Sequence, residues 1–249
     1  MKKLLKKFIP KFFFGIKNKY QTFKLRKKYL NKSQKTIFAE IYKKNLWSPN
    51  PENNKGEFYS GIGSHSEYFT KTYIEKVTFF LSSFSKKPSA VDLGCGDFSV
   101  GAQLRDKCNQ YTAIDIVDEL IDRNKRKYKN LNVNFESKNI TFDNLPEADI
   151  CFLRQVLQHM SNDSIQKFII NIKDKYRYLV ITEHYPPQEK FIPNVDKPTG
   201  PDIRIYEKSA VVLTQAPFNL KVIKEEKLCE LFSDLIEGSL VTHVLRLKT

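Results

Sequence analysis

The chain is poor in cysteine, and the cysteines it has form no pattern. Cys95, Cys108, Cys151 and Cys229 are widely spaced in 249 residues with no C-x-x-C pair, which predicts buried thiols in a reducing compartment and argues against a disulfide framework or a zinc site. The sequence contains no run of eighteen apolar residues, no internal repeat and no signal-peptide cleavage pattern, so a cytoplasmic protein without a metal centre is expected. Acidic residues are scarce in one region: residues 1–44 hold fifteen Lys/Arg and a single acid, Glu40, whereas the remaining residues hold 27 of each sign. The net charge of +14 therefore belongs to an appendage, and a nucleic-acid surface on the rest of the chain is disfavoured.

Within that appendage Leu4, Phe8, Phe12, Ile16, Tyr20 and Phe23 recur close to helical spacing, with lysines between them and a bend expected at Pro10. Two readings follow. Residues 1–30 attach to an anionic membrane surface, where each Lys or Arg contributes about 1 kcal/mol, which would place the protein at the inner face of the membrane. Alternatively the aromatic stripe packs on the domain or on a second subunit. In either case residues 1–45 are expected to form a basic amphipathic extension and residues 46–249 the folded domain.

Strand-like and helix-like segments then alternate. Strands are predicted at 89–93, 110–115, 133–136, 149–153 and 178–182, helices at 99–107, 119–128 and 164–172, and an antiparallel pair at 220–226 and 239–247. Strict alternation implies an α/β fold, a mostly parallel sheet covered on both faces, with ligands at the carboxyl ends of the strands.

One such end reads "AVDLGCGDFSVG", residues 90–101: an apolar run, an acid and two glycines one residue apart. Glycines at a strand end let the backbone turn sharply and let a ligand approach the main chain, and the acid supplies fixed acceptors. "VDLGCG", followed by Asp115 at the end of "YTAID", resembles the class I S-adenosylmethionine-dependent methyltransferases, over roughly residues 58–249. The resemblance implies a Rossmann-like seven-stranded sheet with an antiparallel C-terminal strand and S-adenosylmethionine as cofactor. It further implies that Gly94, Cys95 and Gly96 pass close to the methionine moiety, with Asp92 at its ammonium. Asp115 would take the ribose hydroxyls, with Ile116 against the adenine. Asn139 and Ile140 occupy the place where members often carry an acid beside the adenine amino group, and the Asn139 side-chain oxygen is expected to accept that hydrogen bond.

A nicotinamide-binding dehydrogenase also has glycines after its first strand, but its fingerprint needs a third glycine at position 99, which is Ser99. Base-directed methyltransferases carry Asn or Asp before Pro-Pro and an aromatic residue after the fourth strand. Here that strand runs into "FLRQVLQHM", while Tyr185-Pro186-Pro187 follows the fifth strand without the leading Asn or Asp.

Methyl transfer to a hydroxyl needs alignment and a base. His159 is expected just after the fourth strand and His184 just after the fifth, with Glu183 beside His184 as an acid next to a base. Gln155, four residues before His159 on a predicted helix, would share its face. Asp202 and Arg204, in a long insertion after the fifth strand, would suit a polyhydroxylated or anionic acceptor, although a surface ion pair is an equal reading. Gly61 to Ser64 offers backbone amides to an anion. The segments "SGIGS", "RQVLQH", "ITEH" and "DIR" are similar to bacterial small-molecule methyltransferases of surface-polysaccharide and capsule synthesis, which implies O-methylation of a sugar, a nucleotide sugar or a phosphate-linked group. An RNA methyltransferase and a non-catalytic cofactor-binding partner remain as alternatives.

Overall fold

The computed structural model describes residues 27–47, 58–187, 191–232 and 236–247; most of the expected membrane-binding segment, residues 1–26, lies outside them. Among the described residues, the chain has helical residues 27–29, followed by α1 (Gln34–Lys43), a short α2 (Ile62–His65) and α3 (Glu67–Ser82). It then alternates through β1 (Ala90–Leu93), α4 (Gly101–Leu104), β2 (Tyr111–Asp115), α5 (Asp118–Lys127), β3 (Asn134–Ser137), β4 (Ala148–Arg154), α6 (Asn162–Asn171) and β5 (Tyr176–Tyr185). The hairpin β6 (Lys224–Phe232) and β7 (Ser239–Arg246) completes it. The sheet has seven strands in the order β3-β2-β1-β4-β5-β7-β6. The five strands β1 to β5 run parallel, and β7 is antiparallel to both β5 and β6. This is the Rossmann-like methyltransferase fold, with its strand order reversing beside β1 and β4, where open α/β sheets bind ligands.

Successive strand residues point to opposite faces. Ala90, Ala113, Ile150, Phe152, Val180 and Val244 share one core cluster, which also holds Tyr73 of α3 and Phe98. Val91, Leu93, Ile114, Cys151, Leu153, Leu179 and Ile181 share the other, with Ile165 and Phe168 of α6. By that alternation Asp92, Asp115, Arg154 and His184 all lie on the first face, at the carboxyl ends of four adjacent strands.

Three expectations need correction. β6 starts at Lys224 rather than residue 220 and extends to Phe232; as an edge strand it exposes charged residues that hide its alternation. β5 continues to Tyr185, so His184 lies within the strand, opposite Leu240 of β7. Gln155 and His159 do not share a helix. Gln155 has a φ of +56°, which ends β4 in a left-handed turn, and only a single 3-10 turn, Leu157–His159, follows.

Helix α1 falls inside the expected extension, yet it packs into the domain. Ser33 caps it by accepting from the Thr36 amide at 3.2 Å, and Tyr29, Ile37 and Ile41 are buried with Trp47 packed against them. Glu40, the lone acid of this basic region, receives Lys28, Lys32 and Lys44, which hold its carboxyl well below the usual range. Truncating Ile41, which has no exposure, to alanine should cost about 2 to 5 kcal/mol in a single unfolding transition of the whole domain. Urea denaturation showing a second, separate transition, or no loss, would detach α1 from the core.

Candidate functional site

The carboxyl ends of β1, β2, β4 and β5 open into one cleft of about 530 Å³, roofed by α1 and the segment from Ser60 to Ser64. Its floor is the glycine turn. Gly94 and Gly96 have φ values of +72° and +56°, a left-handed conformation that disfavours a side chain. A Cβ on Gly94 would stand 2.5 Å from Val156 Cγ2, and one on Gly96 2.4 Å from Ser60 Oγ. Cys95 between them also lines the cleft, its thiol pushed up by burial.

Two carboxylates face this turn. Asp115 accepts from the Gly96 amide at 3.1 Å and from the Val117 amide at 3.1 Å, and burial raises its carboxyl to about 6 against these bonds. Asp92 accepts from the Tyr111 hydroxyl at 3.2 Å, and burial raises it to about 7. Neither has a cationic side chain within ion-pair distance among the described residues. Buried carboxylates in that condition suit a cationic or hydroxylated ligand.

Ile116 and Ile140 line the adjoining wall with Phe38, Tyr42 and Trp47, the last two ring to ring at 4.8 Å. Asn139 lines it as well, but its Oδ1 accepts from the Thr141 amide at 2.9 Å and the Thr141 hydroxyl at 2.7 Å. Both lone pairs are thus used in a local turn, and the expected hydrogen bond from this oxygen to an adenine amino group is not open to it.

The histidines differ. His159 is buried against Trp47, ring centroids 5.1 Å apart, with Nδ1 3.3 Å from the Asp202 carbonyl and Nε2 3.3 Å from Gln158 Nε2. Burial, reinforced by Lys197, lowers it to about 3, so it is a neutral wall and a weak base. His184 also lines the cleft, and its Nε2 meets the Glu237 carbonyl at 2.6 Å. A carbonyl only accepts, so Nε2 carries the proton and Nδ1 keeps the lone pair.

Glu183 does not join His184. As its neighbour on a strand it points to the opposite face, into a small cavity with Tyr185 and His243, where burial raises the carboxyl to about 8 against the Arg204 charge and the Leu157 and Gln158 amides. Arg204 is also misplaced by the expectation of substrate binding. It is 1% exposed and sits behind the cleft, donating to the Met160 carbonyl at 2.6 Å and to the Val195 carbonyl, which fixes the insertion to the domain. Asp202 does line the cleft, with Oδ1 3.5 Å from the buried Lys197 ammonium. Gln155 lines it too and packs against Gly63, whose Cβ would meet Gln155 Oε1 at 2.3 Å.

Residues with no sequence signal complete the roof. Asp97 Oδ2 accepts from the Ser60 amide at 2.8 Å and lies 2.6 Å from His65 Nε2, while Oδ1 accepts from the Ser99 amide at 3.1 Å. Ser60 and His65, on either side of Gly61 to Ser64, are thus engaged by the protein's own carboxylate, and the Ser64 amide donates to the Gly61 carbonyl. From the other side Arg154 donates to the Gly63 carbonyl at 2.6 Å and the Ser64 hydroxyl at 3.3 Å.

Residues 90–177 match a family described as a methyltransferase domain. Among solved structures, the chain is similar to the N-methyltransferase NodS of Bradyrhizobium japonicum WM9 in complex with S-adenosyl-L-homocysteine, at 13% identity and a TM-score of 0.59, covering 86% of this chain and 100% of that one. It is also similar to the magnesium protoporphyrin IX methyltransferase ChlM of Synechocystis PCC 6803 with bound S-adenosylmethionine, at 13% identity and a TM-score of 0.54, covering 86% and 98%. Human N-acetylserotonin methyltransferase with S-adenosylmethionine follows at 16% identity and a TM-score of 0.51, covering 73% and 53%. By sequence, no curated protein matches significantly. At these identities the structures establish the fold. With the methyltransferase-domain match over residues 90–177 they point to S-adenosylmethionine as the ligand against which the cleft is to be compared. The cleft fits that cofactor: the glycine turn leaves room at the main chain, and Asp92 and Asp115 offer carboxylates to its cationic amino-acid end and ribose hydroxyls.

Because both carboxyls hold protons more tightly than free aspartate, binding a cationic donor should expel them. Donor affinity should rise with pH from about 5 to 8, with net proton release in calorimetry near pH 6.5, and Asp115→Ala should lose at least about tenfold. Affinity independent of pH would contradict this. Glu183 gives a second test. A carboxyl that titrates higher in the folded protein stabilises most below its unfolded value and loses that contribution as pH rises from about 4.5 to 8. Glu183→Gln should therefore gain stability relative to wild type as pH rises, read as a difference in Tm larger at pH 8 than at pH 5.5.

Proposed function

We propose that the chain methylates a hydroxyl of a small polar acceptor, a sugar, a nucleotide sugar or a phosphate-linked group of surface-polysaccharide synthesis, with His184 as the general base. The observation that carries the base is the bond from His184 Nε2 to the Glu237 carbonyl at 2.6 Å, which fixes the tautomer and leaves Nδ1 as the basic atom of a ring that lines the cleft. Burial lowers the pKa of the ring, so it is unprotonated near neutral pH and ready to accept. When Nδ1 takes the hydroxyl proton, the same carbonyl stabilises the imidazolium that forms.

S-adenosylmethionine supplies an electrophilic methyl group on its sulfonium. Asp92, the glycine turn and Asp115 would hold and orient that donor, and the roof from Ser60 to Ser64 would shield it from water, which strengthens each electrostatic contact beneath it. Gln155 and Asp202 line the same cleft and offer hydrogen bonds to acceptor hydroxyls. The sugar reading is supported by the "SGIGS", "RQVLQH", "ITEH" and "DIR" segments and by Gln155 and Asp202 in the lining of the cleft. Attachment of the basic segment to an anionic membrane is part of the same proposal, rests on its composition, and falls to residues 1–26, since Lys28 is engaged with Glu40 and Tyr29 is buried.

Replacing His184 with asparagine should lower turnover about 10² to 10⁴-fold while the donor dissociation constant stays nearly unchanged. Single-turnover assays with nucleotide sugars make the comparison, and wild-type rates in the variant would end the case for His184 as base.

A further inference from the structure

Arg154 ends β4 in an unusual position for a cation. It lines the cleft, and its guanidinium stands over the Tyr73 ring at 5.0 Å. Its hydrogen-bond acceptors are neutral, the Gly63 carbonyl and the Ser64 hydroxyl, and its Nε has no partner. Among the described residues no carboxylate comes within ion-pair distance of it, and desolvation lowers its pKa. Withdrawn charges in proteins are normally paired, and a planar guanidinium is suited to a carboxylate or phosphate.

The register says which ligand would bring that anion. Asp92 faces Phe152 across β1 and β4, and Arg154 lies two residues further toward the carboxyl ends. Arg154 in turn faces Thr182 across β4 and β5, and His184 lies two residues beyond. All three are on one face of the sheet, so Arg154 stands between the donor carboxylate and the proposed base. With strands about 4.8 Å apart and a rise of about 3.3 Å per residue, the backbones of Arg154 and His184 are on the order of 8 Å apart. That span is comparable to the distance between a phosphate and a hydroxyl on the same sugar ring.

We infer that Arg154 binds an anionic group of the acceptor, a phosphate or carboxylate placed about one sugar ring from the hydroxyl that is methylated. The inference rests on the reading of His184 as base for its second anchor point, and it narrows the acceptor class from polar to anionic. Arg154 then has two duties: two of its N–H groups hold the roof, and its charge selects the acceptor.

The test uses the full chain saturated with S-adenosylhomocysteine and titrated with inorganic phosphate in a calorimeter. Wild type should bind phosphate, and Arg154→Gln should weaken that binding at least about tenfold and by more than it weakens S-adenosylhomocysteine, whose roof the same arginine holds. Arg154→Lys keeps the charge without the planar fork, should fall between the two, and decides the question if the glutamine variant does not fold. No phosphate binding by wild type, or equal binding by wild type and variants, overturns the inference. So does a loss confined to S-adenosylhomocysteine, which would assign the arginine to the carboxylate of the donor. Turnover separates this inference from the function beneath it. If His184→Asn keeps its rate while Arg154→Gln raises KM for phosphorylated acceptors alone, the base reading fails and the anion site stands.

Discussion

The roof of the cleft depends on Asp97, a carboxylate 2% exposed that ties three parts of the chain together. Burial alone would raise its pKa, but His65 and the amides of Ser99 and Ser60 outweigh that and hold it at about 2. The same residue donates its own amide to Ser60 Oγ at 2.8 Å, so the contact between the two segments is reciprocal. Its backbone carbonyl accepts from Arg123 at 3.0 Å and from the Tyr128 hydroxyl at 3.0 Å, which extends the tie to α5 and the turn after it. A carboxyl depressed in this way stabilises the fold above its unfolded pKa and loses that contribution as pH falls through about 2. The glycine turn is therefore fixed from above as well as below.

The parts of this site that the sequence shows are those whose chemistry is local. "VDLGCG" places an acid and two glycines in one turn, and Asp115 ends the next strand, so both donor-facing carboxylates are legible in the linear chain. Asp97 pairs with a histidine 32 positions earlier, and no local pattern reports that. Helix α1 lies where the basic composition of residues 1–45 suggests a helical appendage, and what ties it to the domain is Ile37 and Ile41, which recur at helical spacing and are buried. Asn139 looks like a substitute for an acid, but the threonine two residues on converts it into a turn.

The pairing of Glu183 with His184 fails for a different reason. With the fifth strand ended at residue 182, both residues would lie in a loop where neighbours can face the same way. The strand continues to Tyr185 because β7 pairs with it as far as Ser239, and the pleat then sends the two side chains to opposite faces. An error of three residues at a strand end thus changes which groups can share a proton. Arg204 shows the converse: a charged residue in a polar insertion is one of the most buried side chains in the chain, used to hold carbonyls.

Across β2, β1, β4 and β5 the first face carries, in order, Asp115, Asp92, Arg154 and His184. Two carboxylates are followed by a cation and then by a neutral ring, in steps of one strand, about 4.8 Å. Under a roof that limits water such a sequence of charges produces a field along the cleft, because screening that would cancel it in bulk solvent is weak there. A ligand with cationic groups is favoured at the β1–β2 end, and one with an anion is favoured at β4. On the proposed reading the gradient sorts the two substrates before any contact is complete, with the acceptor hydroxyl beside His184 at the end of the series away from the donor.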